Sequence, residues 1–226
     1  MMSVSRINFS NMPPDSDYFG QFIKLKQLHQ PVKDLYYVGG NLLELLSKPK
    51  VAIIGSRKPT AYGISITKRL TRELSQAGIV IVSGLALGID SIAHQAALDA
   101  GGSTIAILPS PVTNIYPKRH QALAQRIIKQ GSMLCSEYRD GSGWPQKHQF
   151  IARNRIIAAL ADIVVITEAT EKSGSLHTAN FALDLATEVM AVPGNISSLQ
   201  SAGTNSLIQK GATPVLGVED ILNCLH

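Results

Sequence analysis

Cysteine is scarce in this sequence: there are two in 226 residues, Cys135 and Cys224. That excludes a disulfide framework, and their separation excludes a cysteine-ligated metal site. Long hydrophobic runs are missing too. The most apolar stretch, Ile156 to Ile166, is broken by Asp162 and is too short to span a bilayer. The N-terminus lacks the charged-then-apolar order of a secretory signal, so a reducing cytoplasmic setting without a membrane partner is expected. Charged residues make up 16% of the chain with no block of one sign, and no low-complexity tract indicates disorder. No cluster of histidine, cysteine and carboxylate suggests a metal; His94 and His177 stand alone. Residues 55–63, "GSRKPTAYG", have neither the dinucleotide fingerprint nor the Walker A spacing. The next apolar run ends in "VSGLALG" with no acid to hold a ribose. "SGSLHTA" offers serines but no base to activate them, so neither nucleophilic catalysis nor a cofactor is expected.

What is present is a regular alternation. The chain is 45% hydrophobic, enough to bury the core of one large α/β domain. From residue 50 onward, short runs rich in β-branched residues recur: "KVAIIGS", "IVIVSG", "STIAILP", "SMLCSE", "DIVVITEA" and "EVMAVPG". Helix-patterned segments of about a dozen residues separate them, as where Ile66, Leu70 and Leu74 form a stripe that Gly78 ends. Strands alternating with helices imply right-handed βαβ units. The expected fold is α/β: an extended Rossmann-like, doubly wound, largely parallel sheet with helices on both faces. Residues 1–34 read as a partly irregular N-terminal extension with one short helix near 22–28, and residues 35–226 as the Rossmann-like domain.

In such sheets the strand carboxyl ends and the following helix N-termini share one edge, where ligands bind. The turns expected on that edge are cationic: Arg57 and Lys58; Lys118, Arg119 and His120; Lys147, His148, Arg153 and Arg155; and Lys172. They are also rich in glycine and serine, whose backbone N–H groups can cradle phosphate. Arg153 and Arg155 pose a puzzle, because the spacing places them at the opening of a helix over 150–161, where cations are unfavourable. Helical spacing aims Arg153 into the crevice and Arg155 sideways, toward Asp162 or a longer ligand; the competing reading pairs these arginines with acids across the turn, such as Glu137 or Glu168. Asn154 is placed to cap the helix or to bond a phosphate. Anionic ligand groups would offset these cations.

The net charge of +5 permits a polyanion without requiring one. A single strand of DNA needs several phosphate sites in a row and apolar faces for its bases. Aromatics are only 5% of the chain, yet Tyr116, Tyr138, Trp144 and Phe150 all fall in or beside the cationic turns. Trp144, between Gly143 and Pro145, reads as an exposed loop residue or a lid.

Seven ordered stretches resemble the DNA-processing protein A (DprA/Smf) family: "LYYVGGNLLELLSKPKVAIIGSRKPTAYG", "IVSGLALGIDSIAHQAAL", "GGSTIAILPSPVTNIYP", "GSMLCSEY", "FIARNRIIAALADIVVITEATEKSGSLHTANFAL", "EVMAVPGNI" and "AGTNSLIQKGA". The resemblance implies a non-catalytic protein, usually a homodimer. Such a protein binds single-stranded DNA, protects incoming DNA during natural transformation and helps load the RecA recombinase. It places the family's DNA pocket on Gly55, Ser56 and Arg57; on Phe150, Arg153, Asn154 and Arg155, with Lys147 nearby; and on Ser173, Gly174, Ser175 and Thr178. Departures are local. "PSPVTNIYP" replaces a glycine-leucine-aspartate turn, Ile151 stands where a proline is frequent, and Ala186-Thr187 replaces a frequent glycine-arginine. The C-terminal winged-helix domain of many members would have no counterpart before His226.

The alternative is a nucleoside-monophosphate phosphoribohydrolase of the related lysine decarboxylase-like group. Its P-G-G-x-G-T-x-x-E signature ends in a catalytic glutamate. Here Phe181 stands at the acid's place, and Glu168 would have to substitute.

Overall fold

The computed structural model describes residues 3–9 and 19–225. The expected strands form β3 (Lys50–Gly55), β4 (Val80–Ser83), β5 (Thr104–Ile107), β6 (Met133–Ser136), β7 (Ile163–Glu168) and β8 (Glu188–Ala191), preceded by β2 (Asp34–Gly39). The helices are α1 (Phe19–Gln27), α2 (Leu42–Ser47), α3 (Ala61–Gln76), α4 (Ile89–Asp99), α5 (Gln121–Lys129), α6 (Lys147–Leu160), α7 (Ser175–Asp184) and α8 (Ala202–Gln209). Sequence periodicity missed three short elements: β1 (Ser5–Asn8), β9 (Thr213–Pro214) and α9 (Val218–Leu222). Each is too short to show a period, and β1 lies in the stretch expected to be irregular.

Among the described residues the sheet has nine strands in the order β1-β2-β6-β5-β4-β3-β7-β8-β9. The seven from β6 to β9 run parallel. β2 pairs antiparallel with β6, and β1 antiparallel with β2. From β3 the chain winds outward through β4, β5 and β6. α6 then carries it back to β7, on the other side of β3. The topological switch point therefore lies between β3 and β7, where open α/β sheets hold ligands beyond the strand carboxyl ends.

Alternate residues of the buried strands feed opposite faces, as a period of two requires. Ala52, Ile54, Val164 and Ile166 pack with Phe22, Leu25, Ile156, Ile157 and Ala179 from α1, α6 and α7. Val51, Ile53, Ile163 and Val165 pack with Leu70, Leu74, Ile89, Ala93 and Ile221 from α3, α4 and α9. Both faces are covered, which explains strands that read as nearly continuous apolar runs.

The start of α6 corrects one expectation. The helix begins at Lys147, not near 150, and the Gln146 N–H donates to the Gln149 side-chain oxygen at 2.5 Å. Arg153 and Arg155 therefore lie in its second and third turns, beyond the stretch where the macrodipole acts. Their position is explained by what they touch.

Candidate nucleic-acid interface

At the switch point a trough of about 850 Å³ opens along the carboxyl rim. Its walls come from the β3–α3 turn, the β7–α7 turn and the first turns of α6. Gly55, Ser56, Arg57, Lys147, Phe150, Arg153, Asn154, Ser173, Gly174, Ser175 and Thr178 all line it. Of the residues expected at the site, Arg155 alone is elsewhere. Its guanidinium is buried and donates to Glu137 Oε2 at 2.6 Å, and Asp162, its expected partner, instead accepts from the Lys50 N–H at 2.7 Å.

The β3–α3 turn is shaped by close packing. A Cβ on Gly55 would sit 2.6 Å from the Glu168 carbonyl oxygen, so only glycine lets the two strand ends meet. The Ser56 N–H donates to that same oxygen at 2.7 Å. The Ser56 hydroxyl donates to Gln200 Oε1 at 3.0 Å and accepts from the Lys58 N–H at 3.1 Å. With its neighbour fixed, Arg57 projects into solvent at the mouth of the trough.

Arg153 plays two parts. It is 3% exposed, and its Nη1 donates to the carbonyl oxygens of Gly84 and of Ile107, the latter at 2.6 Å. Its Nε donates to Asn154 Oδ1 at 3.0 Å, and Asn154 Nδ2 in turn holds the Gly174 carbonyl at 3.2 Å. One guanidinium thus ties α6 to the ends of β4 and β5, and its neighbour ties α6 to the β7–α7 turn. Burial pulls Arg153 down to about 10, a shift the nearby Asp90 carboxylate opposes, so the group still carries its charge to the trough floor.

Sequence reasoning missed Asp90, which is buried at the trough floor and accepts from the N–H groups of Gly84 and Ala86 at 3.2 and 3.4 Å. Carboxylates are common in the first turn of a helix, so an acid at this place in α4 carries no signal of its own. Burial pushes its carboxyl up, and Arg153 pulls it back. Beneath it, Leu85 takes the left-handed φ of 56°. Its N–H donates to His94 Nε2 at 3.3 Å, and its carbonyl accepts from His120 Nδ1 at 2.8 Å. His94 is fully buried, and its Nδ1–H donates to Thr104 Oγ1 at 2.6 Å while that hydroxyl donates to the Ile81 carbonyl. Two histidines therefore clamp the strained turn. Among the described residues no group of three or more His, Cys, Asp and Glu is placed to hold a metal.

A row of rings and cations edges the trough. The Arg57 guanidinium lies 5.4 Å from the centre of the Phe150 ring. Phe150 meets Tyr116 edge-on at 5.4 Å, and Tyr116 meets Trp144 edge-on at 6.5 Å. Lys118 Nζ sits 4.8 Å over the Trp144 ring. All five come from stretches the sequence had marked as cationic or aromatic. Their alignment came from tertiary structure, since α6 and the β5–α5 loop are brought together only by the sheet. At the β7–α7 turn Gly174 precedes α7, the Ser175 N–H donates to Ser173 Oγ at 3.4 Å, and the Ser173 and Ser175 hydroxyls pair at 2.7 Å. Lys58, Lys147 and Lys172 complete a lining in which, among the described residues, Asp90 is the one carboxylate.

The model of the family described as DNA recombination-mediator protein A matches residues 12–226. The chain belongs to that family. It is 42% identical to the DNA processing protein DprA of Bacillus subtilis over 198 residues, spanning 87% of this chain and 65% of that one. Against the Streptococcus pneumoniae DprA it is 41% identical, spanning 88% and 68%. The chain thus covers about two thirds of these relatives, and 49% of the Escherichia coli protein Smf. The crystal structure of the S. pneumoniae protein superposes with a TM-score of 0.87 at 37% identity, over 98% of this chain and 74% of that one. DNA processing protein A from Helicobacter pylori, solved to give insight into its unique single-stranded DNA binding mode, superposes at 0.84 and 36%, over 100% and 98%. A molybdenum cofactor binding protein from Rippkaea orientalis, at 0.55 and 21%, shares the fold alone.

Proposed function

We propose that this chain binds single-stranded DNA in the trough, as a recombination mediator without catalytic chemistry of its own. The observation that carries the reading is the Arg57–Phe150 pair at the mouth of a cation-lined trough. It sets a phosphate-binding charge directly against a face on which a base can stack. Arg57, Lys58, Lys147 and Lys172 neutralise the backbone, and Arg153 charges the floor. Stacking on Phe150 adds on the order of 1–3 kcal/mol and demands an unpaired base. The further roles belong to the same proposal: a cytoplasmic homodimer protects incoming DNA and delivers it to a RecA-type recombinase. The family's description as recombination mediators supports the recombinase role, and the single-stranded DNA binding mode of the H. pylori relative supports the ligand.

The phosphoribohydrolase alternative loses its acid. Glu168 is buried, accepting from the Thr60 N–H at 2.8 Å and from the Thr60 hydroxyl at 2.6 Å, and it does not line the trough. It anchors the cap of α3, and Gly63, lacking a Cβ, makes room for it.

Fluorescence anisotropy with single- and double-stranded oligonucleotides of equal length tests the reading. Single strands should bind more tightly, and Phe150→Ala should shrink that preference without changing the salt dependence. Equal affinity for both forms would overturn it.

A further inference from the structure

The trough ends before the row of rings does. Phe150 and Tyr116 line it, whereas Trp144 and Lys118 lie beyond its lining, on the outer surface. Trp144 is 49% exposed and Tyr116 39% exposed. Leaving an indole half in water forgoes burial that a large ring would otherwise contribute, so what holds it there is informative.

Two loops are tied together beneath it. Asn114 Nδ2 donates to the Gly143 carbonyl at 3.1 Å, and the Thr113 hydroxyl donates to Asp140. Inside one loop the Ser142 hydroxyl donates to the Arg139 carbonyl at 2.6 Å; inside the other, the Ser110 hydroxyl donates to the Asn114 carbonyl at 2.7 Å. The indole is therefore presented by a braced support: of the two readings its sequence allowed, it is the exposed loop residue and not a lid. Lys118, on the short turn just before α5, sets its ammonium over the ring.

We propose that Tyr116, Trp144 and Lys118 form a second subsite for single-stranded DNA, continuing the strand outward from the trough. This rests on the reading that the trough binds such a strand. In the trough a guanidinium is paired with a phenyl ring; on the shelf an ammonium is paired with an indole, one aromatic step further along the same row. Repetition of a cation and a stacking face is what a continuous strand requires, since each nucleotide brings one phosphate and one base. The rings meet edge-on rather than stacked on each other, and Trp144 and Tyr116 keep part of their surface in solvent. The ammonium that rests on the indole in the free protein is placed to take a phosphate once a base covers the ring.

The chain has a single tryptophan, so its intrinsic emission reports this shelf alone. Oligodeoxythymidines of stepwise increasing length, titrated into the full chain, should leave that emission unchanged while they fill only the trough and quench it once they reach the shelf. In anisotropy, Trp144→Ala should weaken long oligomers roughly five- to hundred-fold and leave short ones unaffected, as loss of one stacked base predicts. Trp144→Phe, which keeps a stacking face, should recover most of the loss. Lys118→Ala should lower the slope of log affinity against log salt by about 0.7 for long oligomers only. Arg57→Ala separates the two proposals. If it weakens all lengths while Trp144→Ala binds every length as the parent does and the emission stays constant, the shelf is refuted and the trough stands. If Arg57→Ala changes nothing at any length, the trough reading fails first. Failure of Trp144→Phe to rescue would show that the loss came from loop damage, and would also refute the shelf.

Discussion

Arg153 and Gly84 are fitted to each other: Arg153 donates to the Gly84 carbonyl, and a methyl group on Gly84 would overlap the guanidinium. A second carbonyl, that of Ile107, depends on the same nitrogen. Arg153→Ala should therefore cost stability, since each buried carbonyl left bare costs roughly 1–3 kcal/mol, partly offset by no longer burying a cation. Arg57→Ala, at an exposed position, should stay within about 0.5 kcal/mol of the parent. Urea denaturation of both variants checks this. Equal stability would mean that Arg153 does not brace the ends of β4 and β5.

Acid should unfold the protein through His94. Burial, aided by the nearby cations Arg153 and His120, lowers this imidazole to about 3, whereas in the unfolded chain it titrates near 6.5. Between those values the unfolded state holds the extra proton, so stability falls as pH drops from about 6.5 toward 3. The slope from this group approaches about 1.4 kcal/mol per pH unit. Asp90, whose carboxyl is raised, works in the opposite sense: the folded state holds its proton more tightly, which adds stability on acidification. Urea midpoints measured at intervals across that range should show His94→Gln with a flatter acid limb than the parent. An unchanged limb would mean that other groups set the acid response.

Ala186 occupies the left-handed region at φ 50°, on the exposed turn between α7 and β8. Residues with a Cβ pay for that conformation, and glycine does not. Ala186→Gly should stabilise the chain by roughly 0.5–1 kcal/mol, read as a rise in the urea midpoint. A lower midpoint would show that some contact of the Ala186 methyl outweighs the backbone strain.

This turn also shows what the sequence could reveal. The departure from a family glycine at 186 marked a turn whose local shape was in question, and the turn keeps its left-handed backbone with alanine in place. The parallel sheet was legible because buried strands on both faces read as unbroken β-branched runs, and the ligand edge followed from the order of strands and helices. Arg57 and Phe150 were found because each lies in or just after a turn that opens on that edge. Arg155 pairs with Glu137, the acid that the competing reading had named; helical spacing gives a side chain's direction and could not choose between that acid and a ligand. Asp90 and Gln200 carried no local signal. The first resembles a helix-opening acid, and the second reaches Ser56 from a loop distant in sequence. Short edge elements such as β9 escaped because two residues cannot show a period.

The most direct measurement is the affinity for an oligodeoxythymidine at several salt concentrations, for the parent and for Arg57→Ala. If Arg57 contacts the backbone at the mouth of the trough, the variant should bind more weakly and lose about 0.7 from the slope of log affinity against log salt. Arg155→Ala should keep the parent slope, since its charge is spent on Glu137. A parental slope in Arg57→Ala, or a reduced one in Arg155→Ala, would place the DNA on a different surface.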